Sequence, residues 1–557
     1  MTVQQIDRLA RGPESVRDRW WRTAVIYEIY PRSFADGNGD GTGDLVGLRS
    51  RLAYLQTLGI DAIWISPFYR SPMKDFGYDV SDYRAVDPMF GSDADFDALL
   101  ADAHARGLRV IIDLVLPHSS DQHRWFQESR SSRDNPRADW YVWADARPDG
   151  SPPNNWLSVF GGPAWQWEVR RGQYYLHYFL RSQPNLHWNN PEVVEAMLGE
   201  ARFWLERGVD GFRLDAITTL VHDPELADNP PQDFTLPSLD VAGPLVTPYR
   251  MQAHVRDRDQ PQILGLLEQL RALVDQYGAF TMGEIADVDS AAITAKYTAG
   301  TSRLHTGYSF QLTHDEFGVD RFRLVVATFE AALGTGWTTY AFSNHDVPRV
   351  VSRWGRLPEL SGDRPALAKL LLACLFTMRG SACLYQGEEL GLTEAELPLD
   401  RLVDPWGIEF APLFKGRDGC RTPMPWRAAA HAAGFTSGEP WLPIPDEHLA
   451  SAVDVQEADA SSVLAACRRL LHFRKGHPAL VTGSITLRET TPPIWAFERE
   501  DGGERLLCVF NLSSSLVSWT IEAGSWQALD GHGFASRLEG DTVHLPAFGA
   551  FFAAADR

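Results

Sequence analysis

Cysteine is scarce in this chain, with five residues in 557, at positions 374, 383, 420, 467 and 508. None stands at metal-ligand spacing, which excludes a zinc or iron–sulfur framework. A thin, odd-numbered scatter reads as reduced thiols in a reducing compartment. Positive charge is short as well. Lys and Arg number 52 against 73 Asp and Glu, a net charge of −21, which argues against a nucleic-acid partner or an anionic membrane. Long apolar runs are missing too. ALAKLLLACLF is too short to span a bilayer, and the N-terminal MTVQQIDRLARGPESVRDRW is polar, with no apolar segment ahead of a small-residue cleavage site. These absences predict a soluble, cytoplasmic protein. Internal repeats and low-complexity tracts are also absent.

What is present is globular composition, 44% apolar and 22% charged. The length exceeds one ordinary core and predicts a large domain with one or two smaller ones. The 19 Trp, 16 Tyr and 28 Phe mostly supply core, and would also suit a cleft that stacks on sugar rings or other neutral ligands.

Short β-rich runs recur along the chain: VIYEIY (25–30), DAIWIS (61–66), RVIIDLV (109–115), GVDGFRLD (208–215), FTMGEI (280–285), YAFSNHD (340–346) and ACLYQG (382–387). An eighth lies near LHTGYSF. Segments of helical period such as DFDALLADAHARGL fall between them. Nearly continuous apolar strands alternating with helices argue for a parallel sheet covered by helices. Eight strands suit an α/β (β/α)8 TIM barrel better than the alternative, an open doubly wound sheet. Residues 118–185 break the rhythm and predict an inserted subdomain after strand 3. From 480 to 557 short alternating runs predict a C-terminal antiparallel β-domain. Residues 1–117 and 186–479 are left for the barrel.

Four strands end in charged motifs: DLVLPH (113–118), GFRLDA (211–216), MGE (282–284) and FSNHD (342–346). Strand C-termini of a barrel converge on one pocket. A single Asp ending a strand often only caps the next helix; four such motifs on four strands are hard to produce by capping. Asp215, Glu284 and Asp346 supply acids, and Arg213, His118 and His345 supply donors. Two carboxyl groups flanking a neutral bond are what glycoside cleavage requires, one to attack the anomeric carbon and one to protonate the departing oxygen. Arg213, two residues before Asp215 on one strand, shares its face and is expected to keep it ionised.

These motifs resemble the four signature regions of the α-amylase family, glycoside hydrolase family 13. The likeness extends from about Trp20 to the C-terminus through WWRTAVIYEIYPRSF, DFGYD (75–79), QPNLHW (183–188) and GRDGCRTPMPW (416–426), and points to the α-glucosidase and oligo-1,6-glucosidase branch. The resemblance implies a retaining exo-acting α-glucosidase on a small-molecule α-glucoside, as a monomer or weak homodimer. Asp215 would be the nucleophile and Glu284 the general acid/base, their carboxyls about 5 to 6 Å apart. Asp346 would grip the 2- and 3-hydroxyls, with His118 and His345 as further donors. Asp75 and Arg417 would hold the 4-hydroxyl of a terminal glucose. Tyr78 would be the stacking platform, and Phe160, Phe179 and Gln183 would line the entrance.

The loop DGNGDGTGD (36–44) opens like an EF-hand, but position twelve is Gly47 rather than Glu, and a strand precedes it. The resemblance makes it a structural calcium or magnesium loop, with Asp36, Asn38, Asp40 and Asp44 donating side-chain oxygens and Thr42 its carbonyl. Pro117 stands where the family usually has the Asn that helps bind a second calcium, so that second site is not expected. QPNLHW replaces the commoner QPDLNW through Asn185 and His187. Ala216, where α-1,6 enzymes often carry Val, inclines the reading to α-1,4 substrates, by a margin of only about 1 to 3 kcal/mol. The alternatives are an oligo-1,6-glucosidase, or a transglucosylase or sucrose isomerase on the same site, although only RLVD (401–404) approaches the RLDR-type isomerase motif. A non-catalytic scaffold remains as a distant alternative.

Overall fold

The computed structural model describes residues 19–233, 247–287, 289–360, 362–521 and 526–555. The expectation drawn from residues 1–18 lies outside them. Eight parallel strands close into a barrel: β1 Val25–Ile29, β2 Ala62–Ile65, β3 Arg109–Leu114, β4 Gly211–Leu214, β5 Phe280–Ile285, β6 Thr306–Ser309, β7 Thr338–Ala341 and β8 Ser381–Tyr385. Each pairs with its sequence neighbours, and β8 pairs with β1. The eighth strand suspected near LHTGYSF is β6.

Strand periodicity decides which side chains face the interior. Ile26, Trp64, Ile111, Phe280, Met282 and Tyr308 fill the barrel as one cluster. Tyr27, Ile63, Ile112, Phe212, Leu214 and Ile285 pack outward against the helices in another. With both faces covered, the strands read as unbroken apolar runs. The same alternation sends the charged residues inward. Glu28 is in phase with Ile26, Asp113 with Ile111, and Glu284 with Met282. Asp113 and Arg213 are register partners across β3 and β4, so their side chains share the interior face.

Between β3 and the long helix Pro191–Arg207 lies a small antiparallel sheet of Trp143–Ala144, Gln173–Leu176 and Trp165–Glu168. After the barrel, five strands from Ser484 to Ala555 form one antiparallel sheet, and Val517–Thr520, Arg537–Glu539 and Thr542–Leu545 form a second. Ile494, Leu507, Val509, Val543, Leu545 and Phe551 fill the space between the two sheets. All five cysteines are buried and free. Among the described residues, no helix is long and apolar enough to cross a membrane.

Candidate active site

The strand ends deliver their acids to one pocket, whose walls include Asp75, Tyr78, His118, Phe160, Phe179, Asp215, Glu284, Asp346 and Arg417. Arg213 and His345 stand directly behind it. Gln183 does so as well, which corrects its expected place at the entrance. It is fully buried, its Nε2 donates to Asp75 Oδ2 at 2.9 Å, and it lies 3.1 Å from His118 Nε2. The irregular insertion folds this amide inward to satisfy a buried carboxylate.

One guanidinium organises the floor. Arg213 Nη1 donates to Asp215 Oδ1 and to Asp113 Oδ1, each at 2.8 Å, while its Nη2 ion-pairs with Glu284 Oε2. The backbone N–H of Ala216 also donates to Glu284 Oε2, at 3.2 Å. Asp215 and Glu284 are thus seated on the two terminal nitrogens of one side chain. Arg213 does not, however, settle the charge of Asp215 alone. Burial pushes the Asp215 carboxyl well above its ordinary range; Arg213 opposes this, while Glu284, Asp113 and Asp346 add to it. Asp113 is likewise raised by burial, to about 6. Arg213 thus favours the Asp215 carboxylate, as expected, but desolvation and the neighbouring acids work against it.

The opposite wall carries a second cationic centre. Arg417 Nη2 donates to Asp75 Oδ1 at 2.8 Å, and its Nη1 to Asp346 Oδ1 at 3.1 Å. Arg421 adds a bond to Asp346 Oδ1 at 2.9 Å. Burial works against the Asp346 carboxylate, but His345, Arg417 and Arg421 outweigh it and hold its pKa well below the usual range. His345 is itself pushed down to about 3 by burial, so at neutral pH the charge of Asp346 rests on the two arginines. Burial also lowers His118, to about 4. Both imidazoles are neutral hydrogen-bonding groups at pH 7.

Aromatic rings complete the cavity. The Tyr78 ring stacks on His345, with centroids 5.4 Å apart and planes 9° off parallel, and its hydroxyl lies 2.8 Å from His345 Nε2. Phe179 packs on His118 at 5.3 Å, and Phe160 on Trp406 at 5.4 Å. Ala216 sits on the wall in the left-handed region, φ +38°.

Several participants escaped the sequence reading. Asp113 and Arg421 lay inside quoted motifs without a role. Glu28 had a signal, as an acid on an otherwise apolar buried strand, and it hydrogen-bonds with His345 Nδ1. Trp406 and Arg258, which also line the pocket, lie outside the motifs.

The 36–44 loop lies apart from the pocket, packed on residues 435–441. Asp36 N donates to Phe435 O at 3.0 Å. Gly41 has φ +95°, and a Cβ there would come within 1.9 Å of Glu439 O, so only glycine fits. Asp36, Asp40 and Asp44 accept N–H groups of their own loop and form no ion pair among the described residues. Three uncompensated carboxylates, an amide and a carbonyl are hard oxygen donors of the kind calcium takes. Among the described residues, though, no three His, Cys, Asp or Glu side chains are gathered as a metal-holding group.

A barrel whose strand ends bring three acids, each hydrogen-bonded to an arginine, around an aromatic pocket has the build of a glycoside hydrolase. Comparison with known proteins agrees. Residues 28–483 match the family model described as alpha amylase, catalytic domain. The chain is 53% identical to a probable alpha-glucosidase of Rhizobium meliloti (strain 1021), covering 96% of this chain and 97% of that protein. It is 37% identical to an oligo-1,6-glucosidase of Heyndrickxia coagulans, covering 92% and 96%. The crystal structure of the alpha-glucosyl transfer enzyme XgtA superposes with a TM-score of 0.93 at 53% identity, covering 96% of this chain and 99% of that one. The trehalulose synthase MutB from Pseudomonas mesoacidophila MX-45 gives 0.87 at 34%, covering 98% and 100%. The chain belongs to the α-amylase family, glycoside hydrolase family 13.

Proposed function

We propose that the protein is a retaining, exo-acting α-glucosidase that releases glucose from the non-reducing end of short α-glucosides, with α-1,4 links preferred. The observation that carries this reading is the pairing of the two arginine centres. Arg213 seats Asp215 and Glu284 side by side, while Arg417 with Asp75 closes the opposite end. A pocket closed behind the terminal sugar suits exo attack, and two carboxyls on one guanidinium suit double displacement.

In this mechanism Asp215 attacks the anomeric carbon as Glu284 gives its proton to the departing glycosidic oxygen, leaving a β-glucosyl ester on Asp215. Glu284, now a carboxylate, takes a proton from water or from a sugar hydroxyl, whose oxygen displaces Asp215 and restores the α configuration. Asp346 accepts from the 2- and 3-hydroxyls and favours the distorted, oxocarbenium-like ring. Asp75 and Arg417 bind the 4-hydroxyl and His118 a neighbouring hydroxyl, while His345, expected as a further donor, has both ring nitrogens engaged by Tyr78 and Glu28 and supports the wall from behind. The residue beside the nucleophile, Ala216, supports the α-1,4 inclination.

Transfer to a sugar acceptor is the second reading of the same intermediate, and the 53% identity to XgtA, named an alpha-glucosyl transfer enzyme, favours it as an accompanying activity. Rates on maltose, isomaltose, sucrose and p-nitrophenyl α-glucoside, with products identified, test both readings. Free glucose, fastest from maltose, supports the hydrolase. New disaccharides as the main product would replace it with a transferase or isomerase.

Asp36, Asn38, Asp40, Asp44 and the Thr42 carbonyl would hold a structural calcium or magnesium ion, which when bound would offset most of the loop's negative charge and take no part in the reaction. Five buried free thiols support a reducing compartment, the cytoplasm.

A further inference from the structure

Arg417 is gripped by a third carboxylate that never faces the pocket. Asp404, fully buried, accepts from Arg417 Nη2 at 2.7 Å through Oδ1, and from Arg417 Nε at 3.1 Å and Arg417 N at 2.7 Å through Oδ2. This is the planar, two-pronged geometry in which a carboxylate fixes a guanidinium's orientation as well as its charge. Asp418 Oδ2 accepts the N–H groups of Val403 and Asp404, at 2.7 and 3.0 Å, so the two segments lock each other.

Two glycines allow the approach. A Cβ on Gly416 would lie 2.4 Å from Asp404 Oδ2, and one on Gly407 would lie 2.2 Å from Lys415 O. The same Asp404 caps the short helix Pro405–Phe410, accepting from Trp406 N at 3.4 Å, and Trp406 forms part of the pocket wall.

Arg417 therefore has two front partners, Asp75 and Asp346, that must also receive sugar hydroxyls, and one rear partner that need not. An arginine held only from the front would follow those carboxylates as they turn to the substrate. We propose that Asp404 is the positioning residue that anchors Arg417 from behind and so sets discrimination at the 4-hydroxyl of the terminal sugar. This assignment rests on the reading of Asp75 and Arg417 as the pair that binds that hydroxyl. It gives the terminal Asp of RLVD a role in selectivity at the closed end of the pocket.

The test compares p-nitrophenyl α-glucoside with its 4-deoxy analogue on the wild type and on Asp404→Asn, which keeps the helix cap but loses the charge. The wild type should prefer the glucoside by on the order of a hundredfold or more in kcat/KM. In Asp404→Asn the KM for the glucoside should rise about tenfold, with kcat changed far less, and the preference should fall about tenfold. An unchanged preference alongside a lowered Tm would overturn the assignment and make Asp404 a structural support only. Should Asp404→Asn fail to fold, Asp404→Ser, also a good cap, carries the same comparison, and failure of both would likewise overturn it. A wild-type preference near one would instead refute the 4-hydroxyl reading of Asp75 and Arg417, which is a distinguishable result.

Discussion

The carboxylate of Asp75 and the guanidinium of Arg417, 342 positions apart in the chain, meet at 2.8 Å in the pocket wall. A hydrogen-bonding pair built for a substrate hydroxyl penalises any substrate lacking it, because the buried groups are then left unpaired. Replacement of Arg417 by Ala, or of Asp75 by Asn, should cut kcat/KM on p-nitrophenyl α-glucoside by roughly a hundredfold or more. Steady-state kinetics measure this; a loss under threefold would show that neither residue touches the sugar.

Removal of the attacking or proton-donating group should act on turnover and leave the fold intact. Asp215→Ala and Glu284→Gln should each lower kcat by on the order of 10⁴-fold. Neither side chain belongs to the apolar clusters of the barrel, so the circular dichroism spectrum should be that of the wild type. Retained turnover in either variant would move the chemistry elsewhere.

The acid limb of the pH profile follows from the burial of Asp215. Attack requires the carboxylate, and burial raises this group well above its ordinary value. As pH falls through that raised value the nucleophile becomes protonated and kcat/KM drops. The limb should therefore lie above the ordinary Asp value of about 3.9. A plateau extending below pH 4 would show that Arg213 outweighs desolvation after all.

Glu388 lies just beyond β8, buried, and burial raises it to about 8. A carboxyl with a folded pKa above its unfolded one binds the extra proton in the native state. It stabilises below the ordinary glutamate value and loses that contribution as pH rises toward 8. Wild-type Tm should thus decline from pH 5 to 8 relative to Glu388→Gln, which carries no titrating proton. Parallel Tm curves for the two proteins would refute the buried, raised carboxyl.

Chelation tests the 36–44 loop. Removal of divalent ions should lower Tm by a few degrees, calcium should restore it, and kcat should be unchanged. An unaltered Tm would remove the ion from the account.

The barrel was legible because its strands are buried on both faces, so DAIWIS and RVIIDLV carry unbroken apolar signals, and because their acids fall at strand ends. Less was legible where contacts are non-local or irregular. Gln183 lies in an insertion without periodicity, and nothing in QPNLHW marks its amide as turned inward. Arg213 could be placed beside Asp215 by counting two residues along a strand. The crowd that competes with it, Glu284 and Asp113, comes from other strands and depends on register. Asp404 and Arg421 acquire meaning only once residues 401–426 fold back over the strand ends.

In the proposed mechanism Asp215 and Glu284 act on opposite sides of one bond through a covalent glucosyl-enzyme. Proton NMR of the glucose first released from p-nitrophenyl α-glucoside, whose leaving group is not itself a sugar, tests this most directly. α-Glucose is expected as the initial product, with the β anomer accumulating only by slow mutarotation. Initial release of β-glucose would contradict it.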